Sequence, residues 1–261
     1  MGVRVVSVTS GKGGVGKSHL AINVAMVCAR QGHRVLLMDA DGGLSNLDVL
    51  LGVNAVAHLG DLLAGKPLDE VVQPVKQGVW LLAGAPGERK LATLDDETRA
   101  QLLHAWSQLV PRFDVVVVDV GPGAGDDVLF FASAGEQPVL VLTDEPTSLA
   151  DAVVLIRALE RQSSVRSMHV VVNGVRTSRS AQAVFARLLE AVPDASLRLQ
   201  LAPHIPDDQN VRRAAMLQKP LVELAPTSPA SRAFERLTTV LLESSTSAHG
   251  GPWLTETQLQ S

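Results

Sequence analysis

The sequence predicts an α/β fold, a doubly wound and mostly parallel sheet with helices on both faces. Short apolar runs typical of buried strands alternate along the chain with stretches of helical periodicity. The composition fits a sheet covered on both sides, because 46% of the residues are hydrophobic and only 3% are aromatic. We expect one domain over residues 1–243 and a disordered polar tail over residues 244–261.

The predicted elements follow one another in a regular order. The strands are 3–8, 34–39, 79–84, 114–119, 138–143, 168–173 and 197–202. The main helices are 19–31, 97–110, 148–162, 179–192, 207–216 and 231–243. Because ligands bind at the carboxyl ends of the strands in such sheets, polar residues that end strands are the first candidates for a site. They are Ser10, Asp39, Asp119, Thr143 and Asn173.

Charge and composition exclude several classes of function. The formal net charge of −4 gives no general attraction to nucleic acid, and we expect no nucleic-acid partner. The single cysteine, Cys28, falls in an apolar helical stretch and is predicted to be a buried hydrophobic residue. No apolar run reaches membrane-spanning length, which predicts a cytoplasmic protein that is at most peripheral at the inner membrane or a cell pole.

A phosphate-binding loop lies between the first strand and the first helix. The stretch GKGGVGKS, residues 11–18, fits the pattern G-x-x-x-x-G-K-[ST]. Its glycines let backbone amides turn toward an anion, and the helix N-terminus adds its dipole. Lys17 is expected to meet the β- and γ-phosphates and Ser18 to bind Mg²⁺, so we predict ATP and Mg²⁺ as cofactors. The predicted nucleotide-binding residues here are Gly11, Lys12, Gly13, Gly14, Val15, Gly16, Lys17, Ser18 and His19.

A second lysine in this loop, Lys12, is not needed to hold phosphate within one subunit. The pattern K-G-G-x-G-K-[ST] resembles the deviant Walker A motif of the MinD/ParA ATPases, which belong to the SIMIBI class of P-loop NTPases. In that family this lysine reaches the partner subunit's phosphates in a nucleotide-sandwich dimer. The resemblance implies a homodimer in the ATP state and a slow, dimer-dependent ATPase in which Lys12 and Lys17 are catalytic.

Carboxylates at two strand ends complete the predicted catalytic centre. Asp39 and Asp41 leave the second strand on the same side, although a D-x-D at a strand end is also ordinary turn chemistry. By resemblance, Asp41 positions the attacking water and Asp39 supports the metal site. The valine run 115–118 ends at Asp119, as in a Walker B strand, and Asp119 is expected to bind Mg²⁺ through water. The glycine loop that follows resembles a switch II.

The resemblance also assigns the base end of the nucleotide and the dimer face. Asn173 matches an asparagine that contacts adenine in the MinD/ParA group, and Pro206 with Asp207 would close over the base. The dimer face and partner contacts are expected after the fifth strand, where Thr147 and Ser148 are also expected to cap a helix. The residues concerned are Glu145, Pro146, Thr147, Ser148 and Asp151.

The stretch after the second strand points to one group within the family. DADGGLSNLDVLLG, residues 39–52 and including Asn46 and Asp48, resembles the FlhG/FleN group of flagellar-number ATPases. This implies an ATP-dependent, dimerising switch that regulates flagellar number or placement, with an FlhF-like GTPase or another flagellar regulator as partner. A MinD-type division-site regulator and a ParA-type partition ATPase are alternatives. A P-loop amidoligase of the cobyrinic-acid type is a further one, but it has no need for Lys12.

The two ends of the chain depart from that group. Its members usually carry an N-terminal extension that contacts FlhF and a basic, amphipathic, membrane-targeting helix at the C-terminus. Here the first strand starts at Val3, and the last helix has only Arg232 and Arg236 as cations. A helix of this kind is more typical of a core cover than of a lipid anchor, so we expect weak membrane binding or none.

Overall fold

The computed structural model describes residues 2–42, 46–84, 94–135, 137–244 and Trp253. Its strands are β1 (Arg4–Ser10), β2 (Val35–Ala40), β3 (Gln73–Lys76), β4 (Val79–Leu82), β5 (Val115–Pro122), β6 (Val139–Leu142), β7 (Ser167–Val175), β8 (Arg198–Leu201) and β9 (Ile205–Pro206). Its α-helices are α1 (Lys17–Arg30), α2 (Leu47–Leu51), α3 (Leu59–Leu63), α4 (Leu68–Val71), α5 (Asp96–Leu109), α6 (Asp126–Ala132), α7 (Pro146–Gln162), α8 (Ser178–Ala191), α9 (Gln209–Met216), α10 (Leu221–Leu224) and α11 (Pro229–Ser244).

The strands form one sheet with β1 near its centre. The strand order is β3-β4-β2-β5-β1-β6-β7-β8, and β9 pairs with β7. Within the described sheet, neighbouring strands are parallel except for the antiparallel pair β3 and β4. The chain passes from β1 to β2 on one side and later returns to β6 on the other. In sheets with such a reversal, ligands bind at the carboxyl ends of the strands beside it, which here points to the end of β1.

Two separate apolar clusters confirm that helices cover both faces. Along β5, Val116 and Val118 pack into one cluster, whereas Val115 and Val117 pack into the other. The first cluster includes buried residues of α5, α6, α7 and α8, and the second includes those of α1, α10 and α11. The alternation follows from the two-residue period of a strand, and it makes β5 apolar on both sides.

The long elements match the sequence prediction, whereas several short ones were not predicted. β3 contains Pro74 and Lys76 and pairs on one side only, so it has neither the apolar run nor the length that marks a buried strand. The helices α2, α3, α4, α6 and α10 span four to seven residues, too short for a 3.6-residue period to stand out.

The C-terminal helix α11 covers the core, as predicted. Its apolar residues Phe234, Leu237 and Leu241 are buried in the cluster formed with α1. In the part of the chain that the structure describes, no helix combines the length and apolarity needed to cross a membrane.

One residue of the predicted tail packs against the domain. Trp253 is only 2% exposed, and its ring lies 4.8 Å from that of Trp106 and 4.2 Å from that of Phe130, measured between centroids. A disordered tail does not predict this contact. The other residues of the tail, 245–252 and 254–261, lie outside the described residues.

Candidate functional site

The phosphate-binding loop has a shape that only glycine permits at two points. Gly16 adopts a left-handed conformation with φ of +93°, and a Cβ there would lie 2.2 Å from Asn173 Nδ2. A Cβ on Gly11 would lie 2.2 Å from the carbonyl carbon of Asp151 in α7. The loop therefore packs tightly against β7 at one end and α7 at the other, which fixes the path of its backbone amides.

Lys17 is buried at the start of α1 and is paired with the Walker B carboxylate. Its Nζ donates to Asp119 Oδ1 over 2.9 Å. Burial raises the pKa of the Asp119 carboxyl, and the positive charge of Lys17 opposes that rise. Among the described residues, Asp119 Oδ2 is buried and accepts no hydrogen bond of good geometry, while the nearby Ser18 hydroxyl, like Lys17, opposes the rise in the pKa of Asp119. A buried carboxylate oxygen of this kind fits a hydrated cation, so the geometry suits the predicted Mg²⁺ role of Asp119.

Asp39 lies directly opposite Asp119 in the register between β2 and β5. Within the described part of the chain, its carboxylate accepts backbone hydrogen bonds from Asp41 N at 3.1 Å, Asn46 N at 3.0 Å and Leu47 N at 3.1 Å. These bonds fix the chain that leaves β2 and the start of α2. Asp39 therefore has a clear structural function, and its part in metal binding stays a prediction.

Asp41 lies between the end of β2 and the loop predicted to be switch II. A Cβ on Gly121 would lie 3.5 Å from Asp41 Oδ1, and the negative charge of Asp41 contributes to the raised pKa of Asp119. The amide of Gly123 donates to the Ser10 carbonyl over 2.9 Å, so the switch II loop runs beside the phosphate-binding loop. The structure thus brings Asp41, Asp119 and Lys17 to one edge of the sheet.

The predicted base-contacting residues also lie together. β9 runs beside the end of β7, where Asn173 pairs with Ile205 and the amide of Asp207 donates to the Val175 carbonyl over 3.3 Å. The side chain of Asn173 reaches the phosphate-binding loop, because its Nδ2 donates to the Val15 carbonyl over 2.7 Å. The sequence did not predict this link, since a strand-end asparagine carries no mark of a partner so distant in the chain.

The side chain of Lys12 extends to the start of α7. Its Nζ donates to Glu145 Oε2 over 2.5 Å and to Thr147 Oγ1 over 2.8 Å. Both charged side chains reach solvent, with 35% of Lys12 and 59% of Glu145 exposed. Lys12 and α7 therefore form one exposed rim beside the phosphate-binding loop.

Two expectations for the start of α7 are wrong. Ser148 is only 2% exposed and its hydroxyl accepts from the Thr143 amide over 3.1 Å, so it is not part of a dimer face. The helix begins at Pro146 with Glu145 in the capping position, and no side chain in the described structure caps it. Proline suits the first helical position because its missing N–H leaves no donor to satisfy, and this moves the cap away from Thr147.

Other groups near the loop have simpler roles. Cys28 is fully buried, which raises the pKa of its thiol to about 12 and leaves it unreactive, as predicted. Burial lowers the pKa of His19, against the opposing charge of Asp119.

No group of three or more acidic, histidine or cysteine side chains among the described residues could hold a metal ion by itself. Mg²⁺ is often bound by few protein ligands together with substrate phosphates, so these residues suit a cation that arrives with a nucleotide.

Several known proteins are similar to this chain in sequence. The family model of the CobQ/CobB/MinD/ParA nucleotide-binding domain matches residues 6–221. The antiactivator FleN of Pseudomonas aeruginosa is 39% identical over 89% of this chain and 84% of its own length. The flagellum site-determining protein YlxH of Helicobacter pylori is 28% identical over 92% of this chain and 82% of its own length.

A solved structure of a MinD protein is also similar to this chain. The septum site-determining protein MinD of Pyrococcus horikoshii, complexed with Mg-ADP, superimposes with a TM-score of 0.74 at 25% identity and covers 93% of this chain and 98% of its own. Together with the family model and the similarity to FleN, the geometry leads to one conclusion. The chain belongs to the MinD/ParA family of nucleotide-binding ATPases, as a FleN-like member.

Proposed function

We propose that this protein is a slow, Mg²⁺-dependent ATPase that dimerises around ATP, and that Lys12 of each subunit serves the nucleotide of the other. The observation that carries the proposal is the contrast between the two loop lysines. Lys17 is buried beside Asp119, whereas Lys12 extends along the exposed rim toward Glu145 and Thr147. The exposure of Lys12 on the rim supports a role toward a second subunit.

Within one subunit, each residue of the site has a separate role in the hydrolysis of ATP to ADP and phosphate. The loop amides and Lys17 bind the phosphates, and Lys17 exchanges its bond with Asp119 for them. Ser18 and Asp119 would hold Mg²⁺, which supplies positive charge against the phosphates. Asp41 orients the water that attacks the γ-phosphoryl group. Asn173, Pro206 and Asp207 surround the base.

The trans role of Lys12 follows from the charge that develops during phosphoryl transfer. Negative charge grows on the leaving oxygen between the β- and γ-phosphates, and a cation placed there by a partner can raise the rate by orders of magnitude. Because that cation would come from the second subunit, hydrolysis depends on dimerisation. The ATP dimer is then the active state of the switch, and hydrolysis ends it.

The biological role that fits best is control of flagellar number or placement. Two relatives support this role, the antiactivator FleN and the flagellum site-determining protein YlxH. We infer that the ATP dimer presents its surface to a flagellar regulator, such as an FlhF-like GTPase, and that hydrolysis releases the partner.

The dimer requirement can be tested by measuring ATP turnover per subunit over a wide range of protein concentration. We expect turnover per subunit to rise with concentration and to level off where sedimentation shows a complete dimer. Turnover that is constant per subunit while the protein sediments as a monomer would contradict the proposal.

Flagellar number in cells that lack the gene is the corresponding test of the biological role.

A further inference from the structure

The start of the phosphate-binding loop contacts α7 at two residues. Gly11 does so through its backbone, and Lys12 through its side chain. Ser10 Oγ donates to the Lys12 carbonyl over 2.9 Å, and the neighbouring Gly11 packs against the backbone of Asp151. The backbone of Lys12 is therefore fixed, while among the described residues its long side chain is secured by two exposed contacts, to Glu145 and Thr147. A change of side-chain rotamer could release Lys12 without moving the loop.

Glu145 is well suited to hold a lysine reversibly. It occupies the capping position of α7, yet its carboxylate makes no capping hydrogen bond to the helix. It pairs with Lys12 instead, and 59% of its side chain stays exposed. An ion pair this exposed contributes little free energy, so a phosphate group that offers more charge can displace it.

We propose that Glu145 is a positioning residue that holds Lys12 on its own subunit until a second ATP-bound subunit replaces it. This inference rests on the proposed trans function of Lys12. In the monomer, the pair with Glu145 neutralises Lys12 and directs it along α7. In the dimer, the partner subunit's nucleotide takes the place of Glu145, and that exchange opposes dimerisation.

The proposal predicts that loss of the carboxylate charge favours the dimer. Glu145→Gln keeps the size of the side chain but removes the charge that competes with phosphate. Because each dimer requires two such exchanges, we expect the protein concentration at half-dimerisation to fall about two- to tenfold with Mg²⁺ and a non-hydrolysable ATP analogue. Glu190→Gln makes the same charge change at an exposed position near the far end of α8 and should leave that concentration unchanged.

The measurement is sedimentation velocity on the full chain and four variants: Glu145→Gln, Glu190→Gln, Lys12→Ala and the double variant Lys12→Ala/Glu145→Gln. If Glu145 acts through Lys12, the effect of Glu145→Gln disappears when Lys12 is absent. An effect of the same size in the double variant would mean that Glu145 acts only through net charge or the stability of α7, and would overturn the proposal.

The remaining outcomes separate this inference from the proposed function. Absence of an ATP-dependent dimer in the wild type and all variants would refute the proposed function itself. A wild-type dimer that Glu145→Gln leaves unchanged would refute the role of Glu145 alone. A dimer that Glu145→Gln weakens would show that Glu145 supports the dimer, the opposite of the inference.

Discussion

The two lysines of the phosphate-binding loop lie five positions apart and in opposite environments. Lys17 is buried against Asp119, of which only 1% is exposed, whereas Lys12 and its partner Glu145 are 35% and 59% exposed. The buried pair belongs to the core of the site, where an unpaired charge would be costly. The exposed pair costs little to break. The loop thus places one lysine in a buried ion pair and the other in a solvent-exposed pair.

Removal of Lys17 should have the largest effect. Lys17→Ala takes away the main counter-charge of the phosphates and leaves the buried Asp119 without its partner, so we expect nucleotide affinity to fall by about a hundredfold or more. The free energy of unfolding should also fall by roughly 2–4 kcal/mol, less if Asp119 becomes protonated. Calorimetric titration with ATP and denaturant unfolding measure the two effects.

The double variant Lys17→Ala/Asp119→Asn is the matched control for that prediction. It removes the orphaned charge, so it should recover much of the stability while nucleotide binding stays lost. If Lys17→Ala bound ATP with normal affinity, the buried lysine would not be the phosphate ligand.

Asp41→Ala should have the next largest effect, on turnover alone. A carboxylate that only orients water acts in the transition state and adds little to ground-state binding. We expect ATP turnover to fall by about a hundredfold or more while ATP affinity stays within a few-fold of the wild type. Chromatography with ATP should show a trapped dimer, and normal hydrolysis would refute the assignment of Asp41.

Lys12→Ala should separate binding from catalysis at the exposed end of the loop. Because Lys12 does not contact Lys17 or Asp119, the variant should bind ATP within a few-fold of wild-type affinity and lose about tenfold or more of its turnover. ATP affinity and steady-state turnover, measured on the same preparation, test whether the variant loses catalysis and keeps binding. A loss of ATP affinity as large as that of Lys17→Ala would place Lys12 in its own subunit's site.

The smallest expected effect is on the pH dependence of the unfolding free energy, through His19. Burial lowers the pKa of His19 below its ordinary value of 6.5, so near and below that pH the unfolded chain binds more protons than the folded one. The unfolding free energy therefore rises with pH between the lowered value and 6.5, with a slope from this residue of at most about 1.4 kcal/mol per pH unit. His19→Gln should flatten the curve measured by denaturant unfolding, and an unchanged slope would contradict the burial of His19.

The sequence predicted the parts of this site that depend on local pattern. The glycine loop, the buried valine strand before Asp119 and the strand-end carboxylates each follow from a period or a short motif. It did not predict the partners across the fold, Glu145 for Lys12 and Val15 for Asn173, because these contacts join residues more than a hundred positions apart. The packing of Trp253 was missed for the same reason, since its apolar neighbours lie in α5 and α6.

The trans function of Lys12 is tested most directly by ATP hydrolysis in a mixture of two impaired variants, Lys12→Ala and Asp41→Ala. Lys12→Ala retains Asp41, and Asp41→Ala retains Lys12, so in a mixed dimer the Lys12→Ala subunit would receive its lysine from the partner. With equal amounts of each, half of the dimers are mixed and carry one complete site, so turnover should recover to about a quarter of the wild-type value. Turnover no higher than the mean of the two variants alone would show that Lys12 acts within its own subunit.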